Sequence, residues 1–150
     1  HAEAMWTFLS QWPRELELSI EFRHQEWFTG LQIHWEKPCQ LGIGSVISDT
    51  AGRRDAVHMA VTAPHVIVRF GGYEGHSTDQ FRLRQWARWI EQTEAQAIAE
   101  FYLLVHEPDS LHTPKTCQNF AHELTEQLRF QTVVPNDLSK GQSTAHLTLF

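Results

Sequence analysis

The sequence predicts an α/β fold, a TIM-type (β/α) barrel of which about half is present as roughly four parallel strands with covering helices. Three observations predict it. Leu16, Leu18, Ile20 and Phe22 alternate with polar residues directly after a helical stripe. Three more short apolar runs follow, each separated by a helix or by an irregular segment long enough for a crossover. The last of them, Phe101 to Val105, is continuously apolar, as expected for a parallel strand covered by helices. Four such units with no capping edge strand make half of an eightfold barrel, and an open flavodoxin-like sheet is the alternative on pattern alone.

Each element has its own signal. Met5, Phe8, Leu9 and Trp12 recur at offsets of three and four and predict a helix over 2–12, ended by Pro13. From Glu15 the period is two, and the polar face carries Glu17, Ser19, Glu21 and Arg23. That face meets water in a solvated sheet, or points down the axis of a barrel. A weak helix is expected around 31–37, and Gly42 and Gly44 introduce a second strand over 46–49, which ends on Asp49. Residues 53–61 should hold a helical turn or two. Pro64 then opens a third strand, 65–70, closed by Gly71-Gly72.

Ser77 and Gln80 have capping-box spacing at the start of a helix whose buried stripe is Leu83, Trp86, Ala87 and Ile90, widened by Trp89. The fourth strand stops at His106-Glu107-Pro108-Asp109. Thr113 as N-cap and Pro114 at the first helical position start the last helix, with Cys117, Phe120, Ala121, Leu124 and Leu128 on one face. Periodicity disappears after Phe130.

Composition narrows the class. A chain of 150 residues suits one domain, and 41% hydrophobic with 20% charged residues is ordinary for a globular protein. A net charge of −6 argues against binding nucleic acid through bulk positive charge. Cys39 and Cys117 lack the paired spacing of a zinc site or a disulfide framework, so both are expected reduced and buried, which suits the cytoplasm. No apolar run approaches the ~20 residues of a membrane span, and no leader is expected at the start. The chain opens at His1 without Met, and with only four strand units a missing N-terminal portion is expected.

Blocks at the strand ends carry a resemblance. Glu21-Phe22-Arg23-His24 followed by Trp27-Phe28, Asp49-Thr50-Ala51 followed by Arg53-Arg54-Asp55, the run Val66-Ile67-Val68-Arg69-Phe70-Gly71, and Val105-His106-Glu107-Pro108-Asp109 with Thr113-Pro114 together resemble the YecE-like family, domain of unknown function 72. They occur in the family's order from about Trp6 to Leu128. The resemblance implies a TIM-type barrel, of which 1–130 would be the C-terminal half, from the fifth strand onward. The N-terminal half, with its glycine-rich and aromatic signature, would be absent. Val105-His106-Glu107 stands where many members carry an aromatic residue and paired asparagines, a subgroup difference. The family has no established reaction, so the resemblance transfers none.

Strand parity permits Glu21, Arg23, Asp49 and Arg69 to point into the barrel. One reading is an internal ion-pair network that fills a polar interior, since burying an unpaired charge costs several kcal/mol. The other is a site for a small anionic ligand or phosphodiester, gripped by Arg23 and Arg69, with Glu21, Asp49, His106 and Glu107 as acid, base or metal groups. Of ten histidines, His24, His106 and His112 lie near strand ends, where barrel chemistry occurs, but no compact ligand motif is present. His106 and Glu107, with Asp49 and Glu21, would be the set to hold a divalent metal for phosphodiester hydrolysis. His24 and Trp27, just past the first strand, are placed to bind or stack on a ligand. Gly71-Gly72 has neither the P-loop continuation nor a third glycine, so no nucleotide cofactor is expected.

From about residue 131 the composition turns to Thr, Pro, Asn, Ser, Lys and Gly, which predicts a flexible tail over 131–150 ending His146-Leu147-Thr148-Leu149-Phe150. The pentapeptide is similar to the bacterial sliding-clamp-binding peptide, usually Gln-Leu-Ser/Asp-Leu-Phe, with Leu147, Leu149 and Phe150 as contacts and His146 in place of Gln. Packing of those residues back on the barrel is the alternative. Two functions follow: an enzyme on an anionic or phosphorylated substrate, or a binding protein without catalysis whose tail recruits a partner. An acid–base enzyme should show perturbed groups around an open site, whereas a binder can have each carboxylate neutralised by arginine. The half barrel exposes two strand edges, to be closed by the rest of a longer natural protein or by another copy.

Overall fold

A computed structural model describes residues 2–28, 35–53, 57–93, 98–128 and 132. The chain runs α1 (Ala2–Ser10), β1 (Ser19–Ile20), α2 (Glu36–Leu41), β2 (Gly44–Ser45), β3 (Ile47–Thr50), β4 (His65–Gly71), α3 (Ser77–Gln92), β5 (Glu100–His106) and α4 (Thr113–Leu128). One-turn 3-10 helices lie at Gln25–Trp27 and Ser110–His112. Among the described residues no helix is long and apolar enough to cross a membrane.

Among the described residues all strand pairs are parallel. β1 pairs with β2, and β3, β4 and β5 form a sheet in that order, with Ser48 opposite Arg69, Asp49 opposite Phe70, and Gly71 opposite His106. Only Val46 separates β2 from β3, and its N–H bonds to Ile20 O. The predicted second strand is thus one chain segment that pairs first with β1 and then with β4.

The helices α3 and α4 cover one face of the three-stranded sheet. Ile47, Val66, Val68 and Phe70 pack there against Leu83, Trp86, Ala87, Phe120 and Leu124, with Phe101, Leu103 and Val105 alongside. Period-two geometry puts Ser48, Arg69, Tyr102 and Leu104 on the other face. The last strand is covered by helices on its outer side, as expected, and on the other side Tyr102 is 47% and Leu104 55% exposed.

Several boundaries move for local reasons. α1 stops at Ser10 because Gln11 and Trp12 donate their N–H groups into a tightening turn, to Phe8 O and Leu9 O, ahead of Pro13. Leu16 is exposed and belongs to a turn closed by its N–H on Pro13 O, so the alternation read from Glu15 overextends the first strand. The helix expected at 31–37 lies at Glu36–Leu41, with 31–34 outside the described residues, and Pro38 is accommodated in its first turn. Gly42 closes it in the left-handed region at φ 67°. Of the segment 53–61, residues 57–61 hold no helix, and 54–56 lie outside the described residues. His76, not Ser77, caps α3: its backbone is extended and its ring nitrogen accepts the Thr78 N–H. Thr113 has helical angles, and the cap is Asp109, whose carboxylate accepts the Leu111 N–H at the start of the 3-10 turn Ser110–His112 that runs into α4.

One buried side chain ties the sheet to α3. Arg82 donates from Nη1 to Asp49 Oδ1 (3.0 Å) and to Asp49 O (3.2 Å), and from Nη2 to Gly71 O (2.8 Å) and Asp79 Oδ1 (2.7 Å). Its guanidinium lies 4.1 Å from the Phe70 ring centroid. Trp86 Nε1 donates to Asp49 Oδ2 at 2.8 Å, and Asp79 Oδ2 accepts the Tyr73 N–H at 2.7 Å. Removing the cation leaves two buried carboxylates without it, a change that typically costs about 3–5 kcal/mol. Arg82→Met is accordingly expected to lower unfolding stability by about that amount in urea titration, and a loss below about 1 kcal/mol would contradict the role given to it.

Candidate functional site

Parallel sheets gather polar groups where their strands end at the C-terminal side, and the face away from α3 and α4 carries such a group here. Glu21 directly follows β1, Ser48 lies in β3 and Arg69 in β4. Glu21 Oε1 accepts the Ser48 hydroxyl at 2.6 Å and faces Arg69 Nη1 at 3.5 Å, while Oε2 accepts Arg23 Nε at 3.0 Å. One carboxylate thereby joins three strands' worth of chain on a single face. The Arg69 side chain is 37% exposed and Arg23 is mostly exposed, so both guanidiniums reach solvent.

Burial alone would raise the Glu21 pKa, but the Ser48 hydroxyl, the Arg23 hydrogen bond and the charges of Arg23 and Arg69 outweigh it and hold the carboxyl below its ordinary range. Glu21 thus stays ionised near neutral pH and is badly matched to a general-acid role. Two cations against one anion leave this cluster with a positive balance suited to a small anion.

The other predicted residues separate. Asp49 does not join the cluster: it shares parity with Ile47, faces α3, and is held by Arg82 and Trp86. The strand's one-residue parity rule sends Ser48, not Asp49, to the open face. Glu107 is 1% exposed and lies beneath the turn after β4, accepting the Thr116 hydroxyl at 2.5 Å and the Glu74 N–H at 2.9 Å. His106 ends β5 opposite Gly71 and is exposed. His24 is exposed too, its Nδ1 accepting the Glu26 N–H and standing 3.6 Å from Glu26 Oε2. Trp27 packs on Phe22 at 4.8 Å and edge-on to Trp6 at 6.2 Å between ring centroids, which makes it part of the aromatic corner under α1.

The four groups expected to share a divalent metal are thus divided between two faces and a buried position. Among the described residues no three His, Cys, Asp or Glu side chains gather where they could hold one. Leu147, Leu149 and Phe150 lie outside the described residues.

Sequence reasoning passed over Ser48, Arg82 and His58. Arg82 had a local signal, its i,i+3 spacing from Asp79 inside an apolar stripe. His58 had none. It stacks on Phe28 and lies 4.4 Å from Trp35 between centroids, and its Nε2 is 3.3 Å from Ser45 Oγ and 3.0 Å from Val46 O. The Ser–His distance suggests a nucleophile and base, but Nδ1 accepts the Ala60 N–H, which assigns the proton to Nε2 and directs it at Val46 O. No ring lone pair then remains for the buried Ser45 hydroxyl.

Burial pulls the His58 pKa down, opposed in part by its hydrogen bond to Val46 O. Its neutral form is favoured by folding, so the associated stability is complete above about 6.5, the unfolded value, and is lost as pH falls through the lower folded value. Urea midpoints measured from about pH 8 down to about pH 5 should therefore fall less steeply in His58→Gln, whose amide can still donate to Val46 O, than in the unmodified chain. Equal slopes would contradict this assignment.

Comparison with known proteins fits this architecture. The sequence profile described as Protein of unknown function DUF72 matches residues 1–140. The UPF0759 protein YecE of Escherichia coli K12, and that of Escherichia coli O157:H7, are each 28% identical over 156 residues, covering 84% of this chain and 52% of theirs. The crystal structure of a DUF72 family protein from Enterococcus faecalis V583 superposes with a TM-score of 0.63 at 15% identity, over 86% of this chain and 55% of that one. The chain spans about half the length of these relatives.

Proposed function

This chain belongs to the DUF72 family of proteins of unknown function, and we propose that within it the cluster of Glu21, Arg23, Ser48 and Arg69 binds a small anion bearing a phosphate or carboxylate. The observation that carries the reading is the pairing of one ionised carboxylate with two partly exposed guanidiniums on the open face of the sheet. Glu21 accepts one donor of Arg23 and pairs with Arg69 at 3.5 Å, and both guanidiniums carry further donors for a ligand. Binding without catalysis is the reading this geometry favours. Glu21 is neutralised, Asp49 is engaged behind the sheet, and Glu107 is enclosed, so of the four proposed acid, base or metal groups only His106 stands exposed without such a partner among the described residues.

In the same reading, residues 1–130 are the C-terminal half of a TIM-type barrel acting in the cytoplasm. Sequential parallel strands, helices on one face and the open apolar side of β5 support the half barrel, as does a length about half that of the relatives. Cys39 is exposed and Cys117 half-buried, against the expectation that both are buried, and as free thiols they accord with a reducing compartment. The remaining half of a longer protein would cover Tyr102 and Leu104.

The anion reading is tested by calorimetric titration of the full chain with inorganic phosphate. Arg69→Ala should weaken binding about tenfold, the usual worth of a charged hydrogen bond, with the fold intact by circular dichroism. Unchanged affinity in Arg69→Ala would remove the proposal.

A second reading concerns the tail. The family match ends at residue 140, so Leu147, Leu149 and Phe150 stand outside it, which supports an added peptide that recruits a sliding clamp. Immobilised clamp should retain the full chain and release a variant lacking Leu149 and Phe150; equal retention of the two would end that reading.

A further inference from the structure

We propose that the turn between β4 and α3, residues 72–76, is a fixed rim of the anion site, that Glu107 is the positioning residue that fixes it, and that Tyr73 contacts an aromatic ring attached to the bound anion. The proposal rests on the anion reading above and names its ligand class: a phosphate ester carrying an aromatic ring.

Chain geometry places Tyr73 for this. Arg69 lies on the open face, Phe70 is buried against the helices, and Gly71 and Gly72 have no side chains. The next side chain past Arg69 that is not committed to the helix-side core is therefore Tyr73. Its ring is 63% exposed and is met edge-on by His76 at 5.9 Å between centroids. An exposed tyrosine with one ring neighbour still offers a face for stacking.

The turn is fixed from both sides. Gly72 N–H bonds to His106 O at 2.9 Å, and Tyr73 N–H to Asp79 Oδ2 at 2.7 Å. Glu74 sits at φ 51°, a left-handed conformation unusual for a residue with a side chain, and its N–H is taken by Glu107 Oε2 at 2.9 Å. A Cβ added at Gly72 would collide with the Glu107 carboxylate, so the carboxylate fills the space under the turn and only glycine fits above it. Thr116, in the first turn of α4, donates to Glu107 Oε1, where the positive end of that helix helps offset a buried negative charge. The carboxylate at the end of the last strand thus holds the turn.

The test titrates inorganic phosphate and phenyl phosphate separately into the full chain. Phenyl phosphate should bind about tenfold more tightly, and Tyr73→Ala should abolish that advantage while leaving inorganic phosphate unaffected. Glu107→Ala should abolish it as well and speed hydrogen exchange at the Glu74 amide. Glu107→Gln should keep the advantage, because its carbonyl can accept the Glu74 N–H while its amide donates to Thr116. Gly72→Ala displaces the turn with the carboxylate in place and should act like Glu107→Ala; it decides the matter if Glu107→Ala does not fold. Equal affinity for the two probes in the unmodified chain, or an advantage that survives Tyr73→Ala, overturns the ring contact. An advantage retained in Glu107→Ala or Gly72→Ala overturns the positioning role. Absence of phosphate binding, or phosphate binding indifferent to Arg69→Ala, defeats the anion reading and this one with it. Arg69-dependent phosphate binding without a ring increment defeats this one alone.

Discussion

The fold depends on one buried cation. Arg82 reaches from the first turns of α3 to the ends of two neighbouring strands, and its partners include two backbone carbonyls, Asp49 O and Gly71 O, as well as two carboxylates. Hydrophobic contact between α3 and the sheet is tolerant of sliding, because apolar surfaces attract without direction. Hydrogen bonds to fixed carbonyls are directional, and a shift of one residue would strand two buried carboxylates. The guanidinium therefore sets where α3 stands along β3 and β4. Through the second oxygen of Asp79 it also sets the backbone at Tyr73, at the mouth of the proposed site.

Much of this architecture was legible in the sequence, and the failures are local. The strand pattern, the crossovers and the apolar stripe Leu83, Trp86 and Ala87 follow from periodicity, which reports which face is buried. Periodicity does not report which way a polar residue inside a strand faces unless register is known. Parity permits Asp49 to face the interior beside Glu21 only while the side taken by Ile47 is unknown; Ile47 packs against the helices, so Asp49 does too and Ser48 is left as the partner of Glu21. The caps show the same limitation: Ser77 and Thr113 have the favoured chemistry, but His76 and Asp109 have the required extended backbone. Membership of the family was legible from short blocks at the strand ends, where glycines, charges and prolines are dictated by turns and by polar pairing.

The site was legible in part. Arg69 and Glu21 meet as their parity suggests, whereas Glu107 was misread because a carboxylate after a strand resembles a catalytic group until its depth is known. Glu107 and Asp49 are both enclosed acidic groups; Glu107 accepts the Glu74 N–H, while Asp49 accepts the Arg82 guanidinium and the Trp86 indole. Trp27, just beyond a strand, packs on Trp6 and Phe22, a role that its place in the sequence does not distinguish from stacking on a ligand.

The alternating exposure along β5 has a bearing on how this chain behaves by itself. Tyr102 and Leu104 form an uncovered apolar stripe on a strand paired, among the described residues, only on its β4 side. An open ladder beside a greasy strip is the combination from which neighbouring molecules build intermolecular sheets. Produced alone and concentrated, the polypeptide is thus a natural client for chaperones and prone to precipitate, while the same strip, once shielded, becomes interior that rewards assembly.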